Sequence, residues 1–173
     1  MPSAVPIDPD KLIEAAREFA NHHVAQGRPK PIWLRRAASS AYYALFHSVV
    51  LTSCERLVGS ASVEDQLRLT RSFSHQAVSG VCDAIVSGRG LPEHALPLAV
   101  SLTGTPIEGV ASAFQSLRVQ RHQADYDHLA TFSKEGVLAA IADAERGIQQ
   151  LRTAQIRDQE IFASLLSLKS TIR

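Results

Sequence analysis

Apolar residues recur every three or four positions through most of the chain, and no stretch alternates strictly, so the pattern predicts helix after helix and no strand. A first helix opens at Asp8–Asp10, where acids offer the N-cap and Pro9 suits the first helical position. Leu12, Ala15, Ala16, Phe19 and Val24 follow at helical spacing until Gly27. A second begins near Ile32 and runs to about Leu57, ended by Gly59; its middle, AYYALFHSVVL (Ala41 to Leu51), is apolar nearly all round and belongs at the centre of a bundle. A third is expected over Val63–Val86, with Val63, Leu67, Thr70, Ala77, Val81 and Ile85 on one stripe and Arg68, Arg71 and His75 on another face.

The segment Ser87–Pro106 holds too many glycines and prolines for a long helix and reads as a long loop, with room for a short helix over Leu96–Leu102. Thr105-Pro106 with Glu108 opens a fourth helix, and Ser133 with Glu135 a fifth. In the fifth, Val137, Ile141, Ala144, Ile148 and Leu151 form a narrow seam. That seam turns polar over Arg152–Glu160 and apolar again over Ile161–Leu168, so one long helix and a separate C-terminal helix both fit. The expected fold is all-α, an antiparallel bundle of about five helices. Residues 1–7 form a tail, 8–152 the bundle and 153–173 a helical extension.

Composition adds bounds. A chain of 173 residues suffices for one domain with a real core. A net charge of +1 means that any nucleic-acid partner must be held by a local patch. The two cysteines, Cys54 and Cys82, lack ligand spacing and sit in apolar helical patterns, where a thiol acts as a small hydrophobe. The N-terminus carries no signal-peptide pattern and no apolar run is long enough to span a membrane, so the expectation is a cytoplasmic protein without membrane association. No residue pattern calls for a cofactor or a metal.

The fourth helix poses the functional question. Its apolar face runs through Ile107, Val110, Phe114 and Leu117, and the same spacing then lands on Arg121, Ala124 or Asp125, and His128, with Arg118 and His122 flanking. An unpaired charge facing an apolar interior costs several kcal/mol, so either the helix end leaves the core or its charges meet partners. The plain alternative is a solvated face on which Arg121 and Asp125 make an i,i+4 ion pair worth about 0.3–0.5 kcal/mol. The functional alternative is a polar groove or subunit interface lined by Arg121, Asp125, Tyr126 and His128. There arginine clamps a phosphate and histidine or tyrosine moves a proton, without metal.

Three segments carry a family resemblance: RRAASSAYYALFHSVV (Arg35 to Val50), SFSHQAVSGV (Ser72 to Val81) and LRVQRHQADYD (Leu117 to Asp127). In that order, and over roughly Lys11–Leu151, the chain resembles the HEPN domains (higher eukaryotes and prokaryotes nucleotide-binding), in their ADYD form. The resemblance implies a four- or five-helix bundle that forms a homodimer around the end of the fourth helix. It also implies a place in a defence or toxin–antitoxin system, with a nucleotidyltransferase antitoxin as a partner. Many such domains are metal-independent endoribonucleases in which an arginine, followed after four to six residues by a histidine, directs a 2′-hydroxyl onto the adjacent phosphate. Carried over, Arg121 matches the arginine, His128 the histidine at the longest spacing, and Tyr126 stands where the shortest spacing would put it. Asp125 would orient Arg121, while Arg118, His122, Tyr43 and His47 would contact RNA or a nucleotide. Family members without catalysis bind RNA, nucleotides or proteins, which is the competing reading.

Other residues divide the same way. Tyr43 and His47, with Arg36 a heptad before Tyr43, line the groove on one reading and are satisfied core groups on the other. Arg68, Arg71 and His75 are phosphate contacts or a solvated face. Trp33 is a base-stacking surface or a packing anchor against the first helix.

Overall fold

The computed structural model describes residues 7–22 and 30–171, the side chains of 169–171 excepted. The regular structure of the described residues is all helical, with no strand, in eight helices: α1 (Pro9–Ala20), α2 (Pro31–Val58), α3 (Val63–Thr70), α4 (His75–Ser87), α5 (Leu96–Val100), α6 (Pro106–Tyr126), α7 (Lys134–Thr153) and α8 (Ile156–Thr171). The expectation of about five is therefore corrected upward. Val24 and Gly27, expected within and at the end of the first helix, lie outside the described residues.

The starts follow local chemistry. Asp8, Ser62, Ser74, Thr105 and Ser133 each cap a helix by accepting a backbone N–H from the first turn, and Pro9, Pro31 and Pro106 sit where the missing N–H costs nothing. The Ser74 cap overturns the single helix expected over Val63–Val86. Its hydroxyl takes the Ala77 N–H at 3.1 Å, and α4 starts afresh after a turn at Arg71–Ser74. Arg68, Arg71 and His75 consequently share no face. Arg68 pairs with Glu64 and Asp65 on exposed α3, whereas His75 opens α4.

The 28-residue α2 packs against α1, α6, α7 and α8, and α4 packs against α6 and α8. Alanines at 37, 38, 41 and 44 are fully buried, which lets neighbouring helices approach α2 closely. Gly147 of α7 is one such close approach: an added methyl there would lie 3.1–3.3 Å from Leu45 of α2 and Ala113 of α6. The loop expected over 87–106 holds α5, and Ala95, Ala99 and Leu102 bury it against the bundle. Between the two readings of the C-terminus, the chain takes the separate helix. It turns at Ala154–Gln155, and the buried Gln159 amide donates to the Leu151 and Ala154 carbonyls (2.7 and 3.2 Å). Phe162, Leu165 and Leu166 of α8 enter the same core as α2.

Candidate functional site

α2 is apolar on almost every side except one line, where the adjacent Arg35 and Arg36 are followed by Ser39, Tyr43 and His47 at three- and four-residue steps. This line faces the last turns of α6. Between them, polar groups of the two helices close a circuit. Arg121 donates from Nη2 to the Tyr43 hydroxyl at 3.0 Å, and its Nε lies 2.7 Å from Asp125 Oδ2 as a close ion pair without hydrogen-bond alignment. Asp125 in turn accepts the Ser39 hydroxyl at 2.5 Å, returning to α2.

The Arg121 guanidinium also sits over the rings of Tyr126 (5.2 Å), Tyr43 (5.6 Å) and Tyr42 (5.9 Å), close enough for cation–π attraction. Burial opposes its charge, but the hydrogen bond to Tyr43 and the acidic groups of Tyr43, Asp125 and Tyr126 outweigh that and raise its pKa. The arginine is thus held, charged, with about a quarter of its side chain in solvent (23 % exposed).

Arg35 anchors the same corner. Its guanidinium donates to the carbonyls of Gln123, Ala124, Asp127 and Ala130 at 2.6–3.1 Å, which satisfies acceptors that the end of α6 leaves open. On the other side, Tyr42 is buried and its hydroxyl lies 2.8 Å from His75 Nδ1. The His75 ring packs 3.9 Å from Phe46 and 5.6 Å from Tyr43. Burial, then Arg121 and His47, push the His75 pKa down, and burial does the same to His47.

Two open clefts border this cluster. One, of about 400 Å³, is lined by Ile32, Arg35, Arg36, Ser39, Tyr43 and Ala124–Tyr126; the other, of about 430 Å³, by Arg118, Val119 and Arg121–Gln123. Of the residues singled out in the sequence, Arg121, Asp125, Tyr126 and Tyr43 come together. His47 packs beside Tyr43 and Phe46, His122 lies 5.3 Å ring to ring from Tyr126, and Arg118 lines the second cleft.

His128 does not join them. The expectation that it continues the helical face is corrected by Asp127. There the backbone turns extended, and the Asp127 carboxylate accepts the Leu129 and Ala130 N–H groups, leaving His128 in an exposed turn. Sequence reasoning missed Arg35, Ser39 and Tyr42, and it grouped His75, a candidate phosphate contact, with Arg68 and Arg71 rather than with Tyr42 and Tyr43. The polar line along an otherwise apolar α2 was the signal for the first two.

Trp33 stacks on Phe19 (5.5 Å) between α1 and α2. Cys54 and Cys82 are free and buried, and burial pushes the Cys54 thiol up to about 11. Among the described residues no group of three histidines, cysteines or acids is placed to hold a metal, and no helix is long and apolar enough to cross a membrane. In comparisons with family models, curated proteins and solved structures, the chain finds no significant match.

Proposed function

We propose that the chain is a HEPN-like domain that binds single-stranded RNA along the α2–α6 groove, through its phosphates and its unpaired bases. The observation that carries this reading is the fixed guanidinium of Arg121. Asp125 and Tyr43 orient it, the rings of Tyr42, Tyr43 and Tyr126 surround it, and it lines one open cleft while Tyr43, Asp125 and Tyr126 line the other. Arginine so oriented suits a phosphate oxygen. Arg36 and Arg118 add positive charge to either side, and exposed Tyr126 (59 %) beside His122 offers rings on which a base can stack.

Labelled single-stranded RNA in EDTA at low salt tests the reading by fluorescence anisotropy. The expected result is saturable binding, weaker for duplex, that falls at least about tenfold in Arg121→Ala, as loss of a buried charged contact implies. Absence of binding by the folded wild-type protein overturns it.

The second reading, a metal-independent endoribonuclease of a defence or toxin–antitoxin system, draws on the same arginine and on the Tyr126 hydroxyl 3.5 Å from it. With His128 in an exposed turn, the arginine–histidine pair is not assembled within one chain. Cleavage that survives in EDTA and disappears in Arg121→Ala would establish this reading over simple binding. Val119, Tyr126 and Leu129, all exposed around the end of α6, support a homodimer contact there, as the resemblance implies, with a nucleotidyltransferase as the other protein partner to test by sedimentation.

A further inference from the structure

We propose that His75 is a second ligand of the RNA phosphodiester held by Arg121, and that the strand binds together with a proton on this imidazole; the proposal rests on the RNA-binding reading above. Two helices supply the pair: Arg121 from the end of α6 and His75 from the first position of α4. Both border the same two tyrosines. The Arg121 guanidinium lies 5.9 and 5.6 Å from the Tyr42 and Tyr43 rings, and the His75 ring 5.5 and 5.6 Å from them.

Tyr42 decides which way the imidazole works. Its hydroxyl is buried and has no other hydrogen-bond partner among the described residues, so opposite a neutral ring the arrangement that uses its proton is donation to Nδ1. The proton of the neutral ring then sits on Nε2, the nitrogen that Tyr42 does not occupy. His75 is an exposed residue and its Nε2 has no hydrogen-bond partner among the described residues, which leaves that N–H for a ligand. On the Arg121 side, Nη2 serves Tyr43 and Nε faces Asp125, while Nη1 has no hydrogen-bond partner among the described residues. Two donors therefore stand ready around one tyrosine pair.

The charge balance makes the site sensitive to protons. The groups facing His75 are Tyr42, Tyr43 and His47 from α2 and Arg121 from α6, with Arg118 farther along; no carboxylate pairs with it among the described residues. In the empty groove Arg121 and His47 disfavour a second positive charge. A phosphodiester oxygen bound at Arg121 reverses that field and favours the imidazolium. Tyr42 then accepts from Nδ1 instead of donating to it. By linkage, affinity rises as pH falls through the window between the pKa values of free and bound His75, by about tenfold per pH unit at the steepest.

The test uses the whole chain and a 5′-hydroxyl oligouridylate, whose charge is constant across the histidine range, with affinity measured at several pH values. Wild type is expected to bind more tightly as pH falls. His75→Gln keeps a donor but cannot carry the proton and is expected to flatten the profile, while His128→Gln keeps the slope. A slope unchanged in His75→Gln, or one removed by His128→Gln, overturns the proposal while the RNA-binding reading stands. Capture of uridine monophosphate but not of the oligonucleotide overturns the phosphodiester assignment. No binding of either probe overturns both readings. Circular dichroism of each variant separates loss of the ligand from loss of fold.

Discussion

The two halves of α6 are one continuous helix in two environments. From Ile107 to Leu117 the inward positions Ile107, Val110, Ala111, Phe114 and Leu117 are apolar and fully buried, and the half is held mainly by exclusion of water, with one hydrogen bond from Gln115 to the Ser79 carbonyl of α4. From Arg118 to Tyr126 the buried Ala124 is flanked by the charged Arg121 and Asp125, and this half is held by specific partners: Tyr43, Ser39 and Arg35 from α2. The first half tolerates no change of volume, and the second no change of chemistry. A helix can turn from scaffold to site within one turn if its neighbour changes character at the same level, and α2 does so along its polar line.

This contrast can be broken in order of effect. Phe114→Ala, in the first half, is expected to cost about 3–5 kcal/mol in denaturant unfolding, the range for removing a fully buried aromatic ring. Arg35→Ala should cost about 2 kcal/mol, since it strips a charged donor from four carbonyls, with hydrogen exchange accelerated over residues 123–130. Arg121→Ala should change stability by only about 1 kcal/mol while removing most RNA affinity, so the same two measurements move in opposite proportion to Phe114→Ala. Ser39→Ala, which removes one hydroxyl from Asp125, should cost under about 1 kcal/mol and loosen RNA binding slightly.

Acid sharpens the comparison further. His47 and His75 have folded pKa values below their unfolded ones, so the unfolded chain takes up protons first. Their contribution to stability is complete above the ordinary histidine range and is lost as pH falls through it. Thermal unfolding at pH 7.5 and 5.5 should show the melting temperature dropping, and His47→Leu should reduce the drop. No reduction would place the acid sensitivity elsewhere.

Much of this was legible in the residues. The all-helical class follows from periodicity, and the caps at Asp8, Thr105 and Ser133 start helices where side-chain oxygens face free N–H groups. The failures are local competitions. Ser74 ends one helical register and starts another although the apolar stripe runs on without pause. Asp127 folds its own carboxylate onto the Leu129 and Ala130 N–H groups and so removes His128 from the face that spacing assigned to it. The break before α8 has no glycine or proline to mark it, because Gln159 makes the turn from inside the following helix. Tyr42 and His75, far apart along the chain, meet only once α2 and α4 have each packed on α6 and α8; no spacing rule could pair them.

The grip of Arg35 on four carbonyls has one more consequence. It fastens the tail of α6 to α2 before anything arrives, so the furrow is a slot of set width whose walls do not have to find each other. On the RNA-binding reading, a strand settling there would give up its own freedom and ask little more of the protein, so less contact energy goes into ordering the slot and more remains as affinity.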